Sequence, residues 1–224
     1  MTDSSKLGGG YLDSRFDPEP TVAAVLEAAV PGAAGALLVV LSGPPAAGKS
    51  VVAKRVLDLV PNSIAIEKDT TAAGFILEAS RVAGRTDEVA YGSEEYWARL
   101  RPLEYAGATA QACQNLVGRR IVLLAGGWGP ELAVADLWPR LASRIAPASM
   151  LVIHLNAPDS ETWRQRLASR GSRSDSPWFE DFARKTTASA VWPGAHTVDT
   201  NRPLAQVVEG VIEMITHSHT GSKR

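Results

Sequence analysis

The chain has 224 residues, enough for one α/β domain with a full core, and its 45% hydrophobic and 21% charged content is ordinary for a globular protein. A net charge of −1 gives no general pull toward nucleic acid or anionic membrane, and the single Cys113 excludes an internal disulfide. No apolar run approaches the roughly 18–20 residues that span a bilayer, and the first residues lack a basic-then-apolar leader, so a cytoplasmic protein is expected.

Residues 1–17 are polar and glycine-rich without a period and read as a loose arm. Asp17-Pro-Glu-Pro-Thr21 leads into a short helix through Val30, closed by Pro31-Gly32. The apolar run Ala36 to Leu41 has strand length. A helix follows closely, with Val52, Val56 and Leu59 predicted on its buried face, and stops at Pro61-Asn62. Ser63 to Glu67 is a second strand, carrying Lys68-Asp69 at its C-terminal end. An apolar helix over 71–79 and a charged, glycine-containing loop over 82–93 come next. From Glu94 to about Val117 the chain reads as helical, with Pro102 forcing a kink or a fresh start. Its inward face is predicted to hold Leu103, Ala106, Ala110, Cys113 and Val117.

Ile121 to Ala125 is the third strand, ending in Gly126-Gly127-Trp128-Gly129, and Pro130-Glu131 restarts a helix to about Arg144. Met150 to Leu155 is a fourth strand, followed by a helix over 159–170, a basic loop over 171–177 and a helix over 178–190. A short fifth strand, His196 to Val198, a last helix over 203–215 and a polar, disordered tail over 217–224 complete the chain. Strands alternating with helices imply right-handed crossovers and a parallel sheet covered on both faces. The expectation is α/β: a single three-layer α/β/α domain over 18–216 with a five-stranded parallel sheet.

The loop after the first strand carries the chemistry. Gly43-Pro-Pro-Ala-Ala-Gly48-Lys49-Ser50 fits G-x-x-x-x-G-K-[ST] in the strand, loop and helix setting that this phosphate-binding motif requires. Gly43 and Gly48 let successive N–H groups turn inward toward phosphate oxygens, and the helix start adds the positive end of its dipole. Gly43, Pro44, Pro45, Ala46, Ala47, Gly48, Lys49, Ser50 and Val51 are therefore assigned to a nucleoside triphosphate. Lys49 reaches for the β- and γ-phosphates, and the Ser50 hydroxyl is the candidate Mg²⁺ ligand.

Other motifs sort the function. There is no Asn-Lys-x-Asp to read guanine and no Leu-Ser-Gly-Gly-Gln of transporter ATPases. The third strand ends without the acid that hydrolytic motors use to orient water. An acid stands instead at Asp69, beyond the second strand, where a carboxylate can orient an acceptor hydroxyl and take its proton. Asp69 equally suits an N-cap of the next helix. Arg170 and Arg173 suit a lid over about 164–177 that neutralises charge on the transferring group. Arg164 and Arg166 suit a solvated face as well as the nucleotide. The turn Thr200-Asn201-Arg202-Pro203 suits either a base-packing loop or a plain helix cap.

Gly43 to Ser50, Asp69, the arginine lid and Val198-Asp-Thr-Asn-Arg-Pro-Leu204 together resemble the P-loop small-molecule kinases. These include chloramphenicol phosphotransferase, gluconate and shikimate kinases, and the related zeta toxins and polynucleotide kinases. The stretch from Ser93 to Arg120 is similar to actinobacterial kinase-like proteins of the AAA family. The resemblance spans about Leu37 to Ile215 and implies ATP and Mg²⁺ as cofactors, a small-molecule hydroxyl as acceptor, and Asp69 as base. It also sets the Gly126 to Gly129 turn beside a substrate-holding turn of shikimate kinase.

In such kinases the segment between strands two and three, about 70–117 here, covers the acceptor. It holds Phe75, Arg81, Arg85, Tyr91, Tyr96, Trp97, Arg101, Glu104 and Tyr105, a mix suited to a sugar, aminocyclitol or nucleoside. Core packing of Trp97 and Tyr105 and solvation of the arginines are the plain alternative. Tyr96, Arg101, Glu104, Gly127 and Trp128 join Asp69 as acceptor candidates, Trp128 on the premise that three flanking glycines expose it. His154, inside an apolar strand, is expected to be a satisfied core residue, and the His217/His219 pair is assigned no metal.

Overall fold

A computed structural model describes residues 17–221. The expected arm, save Asp17, and residues 222–224 of the expected tail lie outside them. Five strands, β1 (Leu37–Ser42), β2 (Ser63–Glu67), β3 (Ile121–Ala125), β4 (Ser149–Leu155) and β5 (His196–Val198), form one parallel sheet in the order β2-β3-β1-β4-β5. The helices are α1 (Glu19–Ala28), α2 (Lys49–Leu59), α3 (Lys68–Val82), α4 (Arg101–Gln114), α5 (Leu137–Ile145), α6 (Ser160–Ser169), α7 (Trp178–Thr187) and α8 (Leu204–Gly221).

Strand β1 is buried throughout, and its side chains alternate between two cores as the period of a strand requires. Leu38 and Val40 face α1, α4 and α5, where Val22, Val25, Tyr105, Trp128, Trp138 and Leu141 gather. Leu37, Val39 and Leu41 face α2 and α8, meeting Val52, Val56, Val211 and Ile215. The three layers follow. Both neighbours of β1 come later in the chain, so the sheet reverses its winding there and leaves a crevice at the strands' C-terminal ends.

Several details depart from the sequence reading. Leu59 is exposed, and Ala53 fills that face of α2 instead. On α4, Leu103 points outward, while Arg101, Glu104, Tyr105, Ala108, Thr109, Ala112 and Cys113 turn inward; the helix ends at Gln114, and Val117 is exposed in the turn beyond it. An apolar period misreads that face because Arg101 and Glu104 are buried against partners on other elements, Glu131 and Lys68. A π-helical turn over Tyr96–Leu100 precedes α4, and Pro102 sits in the first turn, where its missing N–H is harmless. The last helix continues through 217–221 rather than fraying there. Among the described residues no helix is long and apolar enough to cross a membrane.

Candidate active site

A cleft of about 750 Å³ opens over the C-terminal ends of the strands. Pro45 to Val52 form its floor. Ala46 and Gly48 take left-handed backbone at φ 60° and 101°, which folds the loop back over the start of α2. Nothing lies within 4 Å of where a Gly48 side chain would begin, so the loop is an open cradle. Gly43 is the reverse case: φ is 144°, and a Cβ would meet the Leu155 carbonyl at 2.5 Å. Lys49 Nζ donates to the Gly43 and Pro44 carbonyls at 2.7 and 2.8 Å, which leaves its ammonium a third donor. Burial pushes the Lys49 pKa down to about 8; Arg170 and Lys68 push the same way, and Asp69 opposes them.

On the β4–β5 side the walls are Arg166, Ser169, Arg170, Thr200, Arg202, Leu204 and Val207. Arg166 donates to the Thr200 carbonyl at 3.3 Å, and the Thr200 hydroxyl to the Asn156 carbonyl at 2.9 Å. Asn201 does not line the cleft. Its side chain accepts from the Asp159 N–H at 2.7 Å, tying the turns after β4 and β5 together, while Asp159 caps α6 through Thr162. Pro203 also lies off the lining. Of the two arginines expected to close on the transferring group, Arg170 lines the cleft. Arg173 is exposed outside it, held by Asp175 at 2.8 Å with its guanidinium over Trp178.

The helix that leads into this segment carries a contact that sequence patterns missed. Trp163 on α6 is fully buried; its Nε1 donates to the Pro45 carbonyl at 2.8 Å, and its ring packs with Ala46, Leu167 and Phe179. The helix after β4 is thereby docked on the phosphate-binding loop. Only a long-range partner gives Trp163 this meaning.

On the β2–β3 side the walls are Glu67, Lys68, Asp69, Tyr91, Tyr96, Tyr105 and Gly127. Asp69 lies in the first turn of α3 rather than at its cap, half-exposed, and pairs with Lys68. Burial alone would raise the Asp69 carboxyl, but Lys68 and then Lys49 hold it below the usual carboxylate range. Lys68 also meets Glu104 at 3.1 Å and sits over the rings of Tyr91 and Tyr105 at 5.7 and 5.3 Å. Burial raises the Glu104 carboxyl against the pull of Lys68.

Behind this wall stand Arg101, Glu104 and Trp128, none of which lines the cleft. Arg101 and Glu131 form a two-pronged ion pair at 2.8 and 2.6 Å, both about 1% exposed. The guanidinium is stacked on Trp97 and Tyr105 at 4.6 and 4.5 Å. Tyr96 donates to Glu104 at 2.9 Å. Trp128 corrects the sequence reading outright: it is 1% exposed, in the core against Tyr105 and Trp138. Its left-handed backbone (φ 55°) turns the ring inward, and its N–H donates to the Tyr105 hydroxyl at 3.0 Å. Gly127 alone of that turn reaches the cleft. His154 is buried and bonded to Ser42 at 3.0 Å, with burial and then Lys49 lowering its pKa to about 4.

The donor set suits a polyanion: an ammonium, the start of an eleven-residue helix, and arginines on one wall. Among the described residues no three of His, Cys, Asp and Glu gather as a metal site, so a divalent ion there would be shared by the exposed Ser50 hydroxyl and ligand oxygens.

No family model and no curated protein matches the chain. Solved structures do. An inferred kinase from Chloroflexus aurantiacus is 18% identical, with 84% of this chain and 100% of that one covered at a TM-score of 0.55. An unliganded sugar kinase from Janibacter sp. is 21% identical, covering 83% and 97% at 0.49. Shikimate kinase from Aquifex aeolicus is 16% identical, covering 82% and 99% at 0.49. The shared property is the fold: a five-stranded parallel sheet between helical layers, matched over the whole length of the Chloroflexus aurantiacus protein.

Proposed function

We propose that this chain is an ATP- and Mg²⁺-dependent phosphotransferase acting on a hydroxyl of a small molecule. One observation carries the reading: a single cleft joins the phosphate-binding loop to a carboxylate, Asp69, with a tyrosine-lined wall beside it. Descriptions of the matched structures as kinases support it. Bound ATP with Mg²⁺ would supply the phosphoryl group: the acceptor oxygen bonds to the γ-phosphorus, the β–γ bridging P–O bond breaks, and ADP leaves.

This chain's residues divide the remaining work. Lys49 and the start of α2 hold β- and γ-oxygens, and Ser50 holds the metal. Arg170 neutralises charge on the transferring group, and Arg166 and Arg202 flank the nucleotide. Asp69 orients the acceptor hydroxyl and receives its proton. A carboxylate held below its usual pKa is a weak base, so orientation is its larger contribution, as a loose transition state allows. Lys68 fixes that carboxylate.

The test is acceptor-dependent ADP release with product mass. Lys49→Ala should abolish ATP binding, whereas Asp69→Asn should keep ATP affinity and lose transfer by about a hundredfold or more. Wild-type transfer in Asp69→Asn would remove Asp69 from the mechanism. ATP binding without transfer to any hydroxylated acceptor would replace the enzyme with a nucleotide-binding regulator.

A further inference from the structure

The cleft has two chemically different ends, and the strand order separates them. Arg166 and Arg170 follow β4 and Arg202 follows β5, whereas Lys68 and Asp69 follow β2. Three strand spacings lie between β2 and β4, roughly 14 Å. A group bound at the Asp69 end is therefore served by the cations of that end.

There, the two cations of the β2–β3 side are each matched by a carboxylate, and Lys49, which also acts on Asp69, is held by the Gly43 and Pro44 carbonyls and faces the phosphate-binding loop. Lys68 is held by Asp69 and Glu104, and Arg101 by Glu131. Asp69, Glu104 and Glu131 set three carboxylates against these two cations, and Glu67 on the same wall adds a fourth. An acceptor bringing its own carboxylate or phosphate would shed water and meet like charge, with Lys68 and Arg101 already committed.

Tyrosine hydroxyls refine this picture. Tyr96 donates to Glu104, and Tyr105 accepts from the Trp128 N–H. The Tyr91 hydroxyl is buried and has no hydrogen-bond partner among the described residues, and the residue lines the cleft at 5% exposure. An orphaned buried phenol is unusual in a folded protein and points to a ligand group that completes it.

We propose that the acceptor carries no carboxylate or phosphate. It is a neutral or amine-bearing polyol, one oxygen or nitrogen of which pairs with the Tyr91 hydroxyl while a second hydroxyl meets Asp69. This rests on the phosphotransferase reading and narrows its substrate class.

The experiment presents the whole protein and Mg-ATP with matched acceptors that differ in charge. The sets are glucose, glucosamine, gluconate and glucose 6-phosphate; a cyclitol, its aminocyclitol and a cyclic hydroxy acid; and a nucleoside with its 5′-monophosphate. ADP release, product mass and the acceptor-induced melting shift in a non-hydrolysable ATP analogue are read. The neutral or amine members should exceed their acidic partners by about a hundredfold in kcat/KM. Equal or greater use of the acids overturns the inference while leaving the phosphotransferase standing. Failure of every acceptor, of either charge, to react or bind overturns both. Tyr91→Phe should raise the acceptor KM about tenfold, spare the KM for ATP and leave the melting temperature undiminished. An unchanged acceptor KM, or a lowered melting temperature, overturns the assignment of Tyr91.

Discussion

The pair Arg101–Glu131 offers the sharpest test of how the tyrosine-lined wall of the cleft is held. Both side chains are about 1% exposed and joined by two charge-assisted bonds, at 2.8 and 2.6 Å, across 30 residues of sequence. Glu131→Leu leaves a buried guanidinium short of its carboxylate, a change that costs about 3–5 kcal/mol. For a chain of this size each kcal/mol moves the melting temperature by about 2–4 °C, so a fall of about 6–20 °C is expected in thermal unfolding followed by circular dichroism. The double variant Arg101→Met/Glu131→Leu removes both charges and should recover at least half of that loss, because the desolvation of the pair disappears with it. A single variant melting within about 3 °C of wild type, or a double variant melting lower still, would refute the reasoning.

Three further outcomes are expected. Lys49 is held near pKa 8 by burial, below the ordinary lysine value of 10.5, so the unfolded chain binds more protons between those values and stability without ligand rises across that window. A triphosphate prefers the ammonium, so ATP affinity by calorimetry should fall from about pH 8 upward, by up to about tenfold per pH unit; Lys49→Arg should flatten the profile, and a flat wild-type profile would dismiss the lowered value. Gly43→Ala sets a Cβ 2.5 Å from the Leu155 carbonyl at φ 144° and should cost at least about 2 kcal/mol in urea unfolding, which a wild-type midpoint would contradict. Trp163→Phe keeps one aromatic ring but loses the pyrrole half of the indole and its 2.8 Å bond to Pro45; about 1–3 kcal/mol of stability should be lost and the KM for ATP should rise several-fold, and an unaltered KM would free the loop from that helix.

The layers were legible because β1 is apolar without interruption and the phosphate-binding loop has fixed spacing, both local signals. Asp69 was legible as well, since its place after β2 follows from strand counting. Residues whose meaning is a distant partner were not. Glu131 reads as a helix-start acid until Arg101 is seen across from it, and α4 reads as burying Leu103 until Arg101 and Glu104 are found to neutralise partners inside. Trp128 shows the opposite error. Its glycine neighbours promise exposure, but left-handed backbone delivers the indole to Tyr105 and Trp138.

The central position of β1, with β2 and β3 on one flank and β4 and β5 on the other, has a consequence for how such a molecule changes over generations. In the phosphotransferase proposed above, the triphosphate would lie over β1, β4 and β5 and the acceptor beside β2 and β3, so rebuilding α3 and α4 would change the acceptor's surroundings while the loop after β1 keeps its own contacts. Grafting those two helices between proteins of this architecture would, on that proposal, redirect what they modify.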